Sequence, residues 1–483
     1  MLNRKIILLI LGILLLIEAF FLFVSGGISM IFEGTDALAF FISGGITLVI
    51  GGFSYYYNRT ANKNLGKREG FLIVSLVWIV FSLFGSLPFI LSGEIKSFTD
   101  AFFETISGFT TTGASILNDI ESLPHGLLFW RSLTQWLGGM GIIVLSLSIL
   151  PFLGIGGMQL FSAEVPGLTP DKLHPKVKET AKRLWVIYTL FTLTEFVLLI
   201  FGGMGWFDAI NHSFTTMATG GYSTKQASIA HFDSAFIHYV IVLFMFIAGT
   251  NFTLSYFALH GRFRKVWQNE EFRYYLGFVL AFTILITIGL HFITDLFSFE
   301  ESFRHGLFQV VSIITTTGFV TADYAIWGQF LLFVMFILMF FGGSAGSTGG
   351  GIKIVRLVVV IKNSYYEVKR LLHPKAVLPV RLNKKVTTEK VVMNVLAFIV
   401  LYFVIFVFGI AIMSALGLDF KTAMGSVAAT LGNIGPGIGA VGPVENFAFI
   451  PDGGKWFLTF LMLLGRLEIF TVLAILTPVF WRN

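Results

Sequence analysis

The chain of 483 residues contains no cysteine and few charged residues. Without cysteine it can form no disulfide, no thiolate nucleophile and no cysteine-ligated metal site. Only 12% of its residues are charged while 55% are hydrophobic, and the mean hydropathy is +0.83. A soluble domain of this size could not cover its surface with so few charges. The composition therefore predicts an integral membrane protein.

The apolar residues are concentrated in long runs. Such runs extend from Ile6 to Val24, Leu38 to Gly52, Val391 to Ala415 and Trp456 to Pro478. Each approaches the roughly 20 residues that a helix needs to cross a bilayer. The first run is longer than the roughly 7–15 apolar residues of a signal peptide, so we interpret it as a retained span.

The basic residues are found mainly in alternate loops. The largest basic groups lie at 59–68, 172–183, 262–273 and 353–390, whereas the intervening loops carry mostly Asp and Glu. This alternation follows the positive-inside rule. It predicts that both termini are cytoplasmic and that the net charge of +6 reflects topology rather than binding of nucleic acid.

Four segments share a short amphipathic stretch, a turn rich in Thr and Gly, and a long apolar run. The turns read TTTG at 110–113, MATG at 217–220, TTTG at 315–318 and GNIG at 432–435. Aligning the turns places Gly113, Gly220, Gly318 and Gly435 in register. An irregular turn at membrane depth is tolerated only where it is buried in protein or lines water. The alternative is that the turns are capped loops that only connect helices.

This pattern predicts an all-α polytopic membrane protein with ten crossings. Two N-terminal spans precede four helix–pore-loop–helix repeats around one central pore. The second spans of the repeats are expected near 126–154, 235–260, 326–372 and 454–480, and only the third is expected to break. The predicted segments are 1–69 for the N-terminal helix pair and its cytoplasmic loop, and 70–182, 183–272, 273–388 and 389–483 for the four repeats.

The four turns suit a desolvated potassium ion. Backbone carbonyls can replace its hydration shell without fixed negative charge, and glycine reaches the positive φ angles that aim successive carbonyls inward. No turn contains a carboxylate, which argues against a filter for divalent cations. Glu104 and Asp208 are expected on the outer approach, where they would concentrate cations. The expected filter residues are Thr111, Thr112 and Gly113; Ala218, Thr219 and Gly220; Thr316, Thr317 and Gly318; and Asn433, Ile434 and Gly435.

A glycine-rich segment, FGGSAGSTGGG at 341–351, interrupts the second span of the third repeat. Glycine costs about 1 kcal/mol per residue in a helix interior, so we expect the helix to break. Broken helices in membranes usually surround an ion or substrate path, and we interpret the segment as a gate. The alternative is tight helix packing through small residues. The candidate gate residues are Gly342, Gly343, Ser344, Gly346, Ser347, Thr348, Gly349, Gly350, Gly351 and Arg466.

Two arginines lie within predicted spans. Arg466 is expected near mid-membrane, where a charge costs about 2.5–3.5 kcal/mol. Glu468 is two residues away and points to another face of the helix, so the expected partner of Arg466 is the glycine-rich segment. The alternative is a structural arginine buried between helices. Arg131 has two interpretations, an interfacial residue or a buttress of the filter.

These residues resemble the Trk/Ktr potassium transporter superfamily. The resemblance rests on the four turns, on GSAGSTGGG at 343–351 and on PGLTPDKLHPKVKETAKRLW at 166–185. The two additional N-terminal spans resemble the Trk-type membrane subunit. The resemblance implies potassium uptake across the inner (cytoplasmic) membrane by a homodimer with one pore per subunit. It also implies a cytoplasmic nucleotide-binding regulatory subunit, and Gly113 at the first filter position favours potassium over sodium.

Two other classes of function remain as alternatives. A proton- or sodium-coupled potassium symporter would carry ionisable residues deep in its spans, for which Arg466 and Glu468 are the main candidates. A membrane enzyme would need clustered nucleophiles, carboxylates or metal ligands at one depth. The sequence shows no such cluster, so we expect no enzymatic activity, no bound cofactor and no metal other than potassium as the substrate.

Overall fold

The structure, a computed structural model, describes residues 2–62, 66–139, 141, 177–294 and 297–482. Three sequence features therefore lie wholly or partly outside the described residues. These are the distal part of the span predicted for 126–154, most of the motif at 166–185 and the first part of the basic group at 172–183.

The described chain is mostly helical with almost no strand, which confirms the predicted helical class. A two-stranded antiparallel hairpin, β1 (Arg381–Leu382) and β2 (Lys385–Val386), is the only sheet in the part that the structure describes. The helices up to the second turn are α1 (Arg4–Ile31), α2 (Ala37–Asn58), α3 (Lys67–Gly85), α4 (Leu87–Leu91), α5 (Phe98–Phe109), α6 (His125–Gly139), α7 (Val177–Phe201) and α8 (Trp206–Met217). The remaining helices are α9 (Ala235–Ala248), α10 (Phe252–Leu259), α11 (Phe263–Gln268), α12 (Glu270–Gly289), α13 (Phe299–Ile314), α14 (Gln329–Leu338), α15 (Ile354–Leu372), α16 (Glu389–Ala415), α17 (Phe420–Leu431), α18 (Asp452–Arg466), α19 (Phe470–Leu476) and α20 (Pro478–Trp481).

Several helices are long and apolar enough to cross a membrane. Within the described ranges there are six by length and composition, or eight when each of two bent helix pairs counts as one span. The two predicted N-terminal spans are among them, as α1 and α2. A membrane protein with several spans is therefore confirmed, and the count of ten crossings stays a prediction.

The second helix breaks in the second and fourth repeats as well as in the third. In the second repeat α9 and α10 meet at 111°, and in the fourth repeat α18 and α19 meet at 118°. The side chain of Asn251 caps the start of α10, and Glu468 and Ile469 take φ angles of 56° and 59° between α18 and α19. The prediction of continuous spans at 235–260 and 454–480 is therefore wrong. The helices end at a capping side chain in one repeat and at two left-handed residues in the other, and hydropathy does not reveal either feature.

Four short helices, α5, α8, α13 and α17, form the centre of the fold. They have 12, 12, 16 and 12 residues, which is fewer than the roughly 20 needed to cross a bilayer. Their side chains are buried along most of each helix, because longer helices pack around them; α5, for example, contacts α3, α6 and α18. The short helices therefore end inside the protein and not at its surface.

The N-terminal helices α1 and α2 cross at a pair of glycines. A Cβ atom on Gly12 would approach the backbone of Gly51 and Tyr55 to within 3.0 Å, and a Cβ atom on Gly51 would meet the carbonyl oxygen of Gly12 at 3.0 Å. Close backbone approach through small residues is a common basis of helix packing in membranes. The crossing therefore depends on the absence of side chains at these two positions.

We expect Gly12→Leu to lower the thermal unfolding midpoint of the detergent-purified protein. Forcing a side chain into a packed contact typically costs about 1–3 kcal/mol. Gly27→Leu is the matched control, since it lies on the same helix and a Cβ atom there meets nothing within 4 Å. Equal unfolding midpoints for the two variants would contradict a tight α1–α2 crossing.

Candidate ion pathway

All four short helices end in the same backbone turn. The second residue after each helix is left-handed: Thr111, Thr219, Thr316 and Asn433 have φ angles of 54°, 53°, 59° and 53°. In every turn this residue donates its N–H to the carbonyl three residues earlier, and the next residue donates to the carbonyl five residues earlier. This is a Schellman C-cap, in which a left-handed residue other than glycine costs on the order of 1–3 kcal/mol. Such strain is typical of functional sites.

The glycine that follows two residues later closes a ring between the turns. Gly113, Gly221, Gly318 and Gly435 have φ angles of 80°, 77°, 83° and 99°. A Cβ atom on any of these four ring glycines would lie closer than 3.0 Å to a carbonyl oxygen of the next turn. The oxygens met are those of Gly220, Thr317, Ile434 and Thr112, in that order. The contacts therefore run from the first repeat to the fourth and back to the first, around one axis.

The ring corrects the predicted register of the second repeat by one residue. Gly221, and not Gly220, has the positive φ angle and the contact with the third turn. The triplet equivalent to Thr111, Thr112 and Gly113 is therefore Thr219, Gly220 and Gly221, and Ala218 is the C-cap residue of α8. The sequence could not decide this, because either of two adjacent glycines can be aligned with Gly113 until the hydrogen bonds of the turn are known.

A vestibule lies on one side of the ring. All four ring glycines line it, and its wall also includes residues that follow each ring glycine in the chain and the segment 442–447. The vestibule therefore leads directly onto the axis around which the turns are arranged.

The glycine-rich segment lies against the opposite end of the turns. The hydroxyl of Thr348 is 3.2 Å from that of Thr219, and the N–H of Gly350 donates to the hydroxyl of Thr316 at 2.7 Å. A Cβ atom on Gly350 would lie closer than 3.0 Å to Asn433. The segment therefore contacts the left-handed residues of three turns.

The predicted helix break at this segment is confirmed. α14 ends at Leu338 and α15 begins at Ile354. The N–H of Gly342 donates to the carbonyl of Ile352 at 2.8 Å and joins the two ends of the segment. The N–H of Ser344 donates to the carbonyl of Gly249 at 2.8 Å, so the segment also meets the bend between α9 and α10.

Two cations, a partly buried arginine and a buried lysine, hold consecutive carbonyls of the segment. Arg466, the last residue of α18, donates to the carbonyl of Thr348 at 2.8 Å, which confirms the predicted contact. It also donates to the hydroxyl of Thr111 at 3.1 Å and is therefore closer to the turns than the sequence suggested. Lys353, the first residue of the basic group at 353–390, is 8% exposed and donates to the carbonyl of Gly349. Its proximity to the glycines in sequence was the available signal.

Glu104 and Arg131 form an ion pair behind the first and second turns. The pair is 2.8 Å long and its side chains are almost fully buried. Arg131 also donates to the carbonyl of Ser223 at 3.2 Å, and its guanidinium lies 4.2 Å from the ring centre of Tyr222. The structure thus favours the buttress interpretation of Arg131. The expectation that Glu104 concentrates cations is wrong, because its carboxylate is buried and neutralised.

Other charged residues near the turns or within the spans also have defined surroundings. Asp208 accepts a hydrogen bond from Thr224 at 2.6 Å, and Glu468 forms an ion pair with Arg356. Glu18 and Glu195 are fully buried in α1 and α7. Within the described ranges no group of three or more His, Asp or Glu residues could hold a metal ion.

We expect Arg131→Met to lower the unfolding free energy by about 3–5 kcal/mol, because it leaves the charge of Glu104 buried without its partner. Arg131→Met combined with Glu104→Gln should recover part of this loss. The measurement is thermal unfolding of the purified protein. Arg370→Met is the control, since Arg370 pairs with Glu367 at the exposed surface, where a pair contributes about 0–1 kcal/mol. A loss no larger than that of the control would contradict a buttressing ion pair.

The chain is similar to known potassium uptake proteins over its whole length. It is 43% identical to the Trk system potassium uptake protein TrkH of Salmonella typhimurium over 477 residues, which are 98% of each chain. It is 42% identical to the protein of the same name from Halomonas elongata over 484 residues, or 100% of each chain. The crystal structure of the potassium transporter TrkH from Vibrio parahaemolyticus aligns with a TM-score of 0.90, at 39% identity and 100% coverage of both chains.

A family model described as "TrkH: Cation transport protein" matches residues 37–479. The match extends from the start of α2 to α20 and includes all four turns and the glycine-rich segment. The family comprises cation transporters and not enzymes, in agreement with the expected absence of enzymatic activity. The chain belongs to the TrkH family of cation transport proteins.

Proposed function

We propose that the chain takes up potassium through a pore along the axis of the ring. The observation that carries the proposal is the closed sequence of contacts between each ring glycine and a carbonyl of the next turn. The two residues before each ring glycine are buried in every turn. Backbone oxygens held around one axis can replace the water of a potassium ion.

The proposed selectivity filter uses the corrected register. It consists of Thr111, Thr112 and Gly113; Thr219, Gly220 and Gly221; Thr316, Thr317 and Gly318; and Asn433, Ile434 and Gly435. All of these residues are uncharged, so the attraction for a cation comes from carbonyl dipoles. Without a fixed negative charge the site binds a dehydrated ion weakly enough to release it again, which favours conduction.

The proposed gate is the glycine-rich segment. It lies under the turns and is held there by hydrogen bonds from Arg466 and Lys353 to consecutive carbonyls. Irregular backbone in a membrane is tolerated where it lines a water-filled path. Two cations beside that path would also repel potassium, so we propose that the path opens when the segment and these side chains move away from the turns.

We extend the proposal to topology and assembly. The chain would cross the inner membrane ten times with both termini in the cytoplasm, in the segments 1–69, 70–182, 183–272, 273–388 and 389–483. It would form a homodimer with one pore per subunit and bind a cytoplasmic nucleotide-binding regulatory subunit. The alternation of basic loops supports the topology, and the similarity to Trk system proteins supports the assembly.

A proton- or sodium-coupled potassium symporter is the second candidate function. The observation that favours it is the complete burial of Glu18 and Glu195 in two helices, since ionisable residues within spans often belong to proton relays. Both carboxyls lie on helices outside the ring. Reversal potentials of the purified protein in liposomes would distinguish the two mechanisms, because passive potassium transport follows the potassium gradient alone and coupled transport shifts with the pH or sodium gradient.

We expect Gly113→Ser to lower the ratio of rubidium to sodium uptake by about fivefold or more. A side chain at this ring glycine displaces the carbonyl of the neighbouring turn, and overpacking of this kind typically costs about 1–3 kcal/mol. Uptake would be measured in cells that lack other potassium importers. Gly203→Ser is the control, because Gly203 has a φ angle of 92° but a Cβ atom there meets nothing within 4 Å. An unchanged ratio in well-expressed Gly113→Ser protein would remove Gly113 from the filter.

We expect Arg466→Ala to raise the resting potassium flux by about tenfold. A hydrogen bond from a charged group typically contributes about 1.5–3 kcal/mol, and the variant loses the bond that holds Thr348. Flux would be measured in liposomes at matched protein content. Arg370→Ala, on the exposed end of α15, is the control. A lower flux in a normally assembled variant would contradict the gating role of Arg466.

A further inference from the structure

The side chain of Gln135 is bonded directly to the second turn. Gln135 lies in α6 and is completely buried. Its amide nitrogen donates to the carbonyl of Gly220 at 2.6 Å, and its amide oxygen accepts from the N–H of Tyr222 at 3.0 Å. The two bonds therefore lie on either side of Gly221, the ring glycine of this turn. A single side chain fixes the peptide groups that precede and follow it.

The presence of Gln135 explains why the second turn contains two adjacent glycines. Gly221 is required by its φ angle of 77° and its contact with the third turn. Gly220 has a different requirement, because a Cβ atom on it would overlap the amide group of Gln135. The side chain of Gln135 thus occupies the space in which a residue at position 220 would have its own side chain.

In two of the other turns the equivalent space holds a pair of threonine hydroxyls. Thr110 and Thr112 are 2.8 Å apart in the first turn, and Thr315 and Thr317 are 2.7 Å apart in the third. Each pair joins the cap residue of the short helix to the residue before the ring glycine. These turns are therefore braced by their own side chains.

The fourth turn is braced by packing, and the second has no brace of its own. Ile434 lies over Gly432, with its Cδ1 atom 2.9 Å from where a Cβ atom of Gly432 would be. The corresponding residues of the second turn are Ala218 and Gly220, which have no hydroxyl and no large side chain. Two consecutive glycines also have the greatest backbone freedom. Without Gln135 the second turn would be the least constrained part of the ring.

We propose that Gln135 is a positioning residue for ion selectivity, which rests on the proposed function of the ring as a filter. From its position in α6 it supports the second turn, whereas the other turns are supported by their own side chains. By holding both peptide groups around Gly221 it keeps the carbonyl of Gly220 in the ring position. Discrimination between cations of similar size depends on the number and the field of such carbonyls, so a loosened second turn would accept sodium more readily.

Gln135→Met tests the proposal, because methionine has a similar length and neither donates nor accepts these hydrogen bonds. We expect the ratio of rubidium to sodium uptake to fall by at least about 2- to 10-fold, the range for loss of one of the two buried hydrogen bonds. The change should appear as a lower KM for sodium, whereas a fall in protein stability alone would lower both uptake rates together. Gln135→Glu, which keeps the acceptor for Tyr222 but loses the donor to Gly220, should shift the ratio in the same direction.

Gln309→Met is the matched control. Gln309 is a buried glutamine of α13, and its amide nitrogen donates to the carbonyl of Ala322 at 3.5 Å, outside the ring. An unchanged ratio in both Gln135 variants would overturn the proposal. An equal shift in Gln309→Met would also overturn it, because loss of any buried glutamine would then have the same effect.

A transplanted brace provides the strongest test. Combining Gln135→Ala with Ala218→Thr and Gly220→Thr gives the second turn the threonine pair of the first and third turns. We expect this triple variant to recover selectivity relative to Gln135→Met. A ratio as low as that of Gln135→Met would contradict the proposal that Gln135 replaces a threonine pair.

Gly113→Ser in the same assay distinguishes failure of the filter proposal from failure of the Gln135 proposal. If it lowers the ratio while Gln135→Met does not, the filter stands and the brace is wrong; if neither lowers it, the filter itself is wrong.

Discussion

The whole arrangement depends on backbone contacts between four turns that meet around one axis. At each ring glycine there is room for a hydrogen atom and no room for a carbon atom, because a carbonyl oxygen of the next turn occupies that space. The four contacts close on themselves, so the position of each turn is set by its two neighbours. A displacement of one turn must therefore be accommodated by the other three. The short buried helices, the caps that end them and the side chains behind the turns all act on this shared backbone geometry.

The four turns have nearly equal backbones but unequal supports. The strained left-handed residue and both cap hydrogen bonds recur in every repeat. The first and third turns are supported by threonine pairs, the fourth by an isoleucine packed over a glycine, and the second by a glutamine from another helix. The buried pair of Glu104 and Arg131 adds a further support between the first two repeats. Equal backbone geometry is what a set of carbonyl ligands requires, whereas the supports need only fill space and satisfy polar groups. Sequence can therefore diverge behind the turns more freely than within them.

Much of this could be predicted from the sequence because its strongest signals are repeated or costly. Hydropathy indicated several membrane spans, four similar turns indicated four equivalent short helices and turns, and six glycines in eleven residues indicated the break at 341–351. The charge of Arg466, expected near mid-membrane, required a polar partner, and the glycine-rich segment provides one. The register of the second turn could not be predicted from the sequence, because it is set by the hydrogen bonds between the N–H groups of the turn and the last carbonyls of the helix. The burial of Glu104 was missed for a similar reason. Its partner Arg131 lies 27 residues away, and only the packed structure brings them together.

The residues whose backbone N–H groups close the caps of the short helices also connect the turns to the segment beneath them. The hydroxyls of Thr219 and Thr316 contact the glycine-rich segment, and that of Thr111 contacts Arg466. These three threonines are the left-handed residues of their turns. In the proposed function, opening of the gate would remove hydrogen bonds from residues whose backbone strain must be supported by their surroundings. The threonine pairs and Gln135 then have a second use, because they hold the residues above the left-handed positions while the contacts below are broken. Supports behind the ring would thus allow the segment to move without changing the carbonyl positions that form the proposed filter.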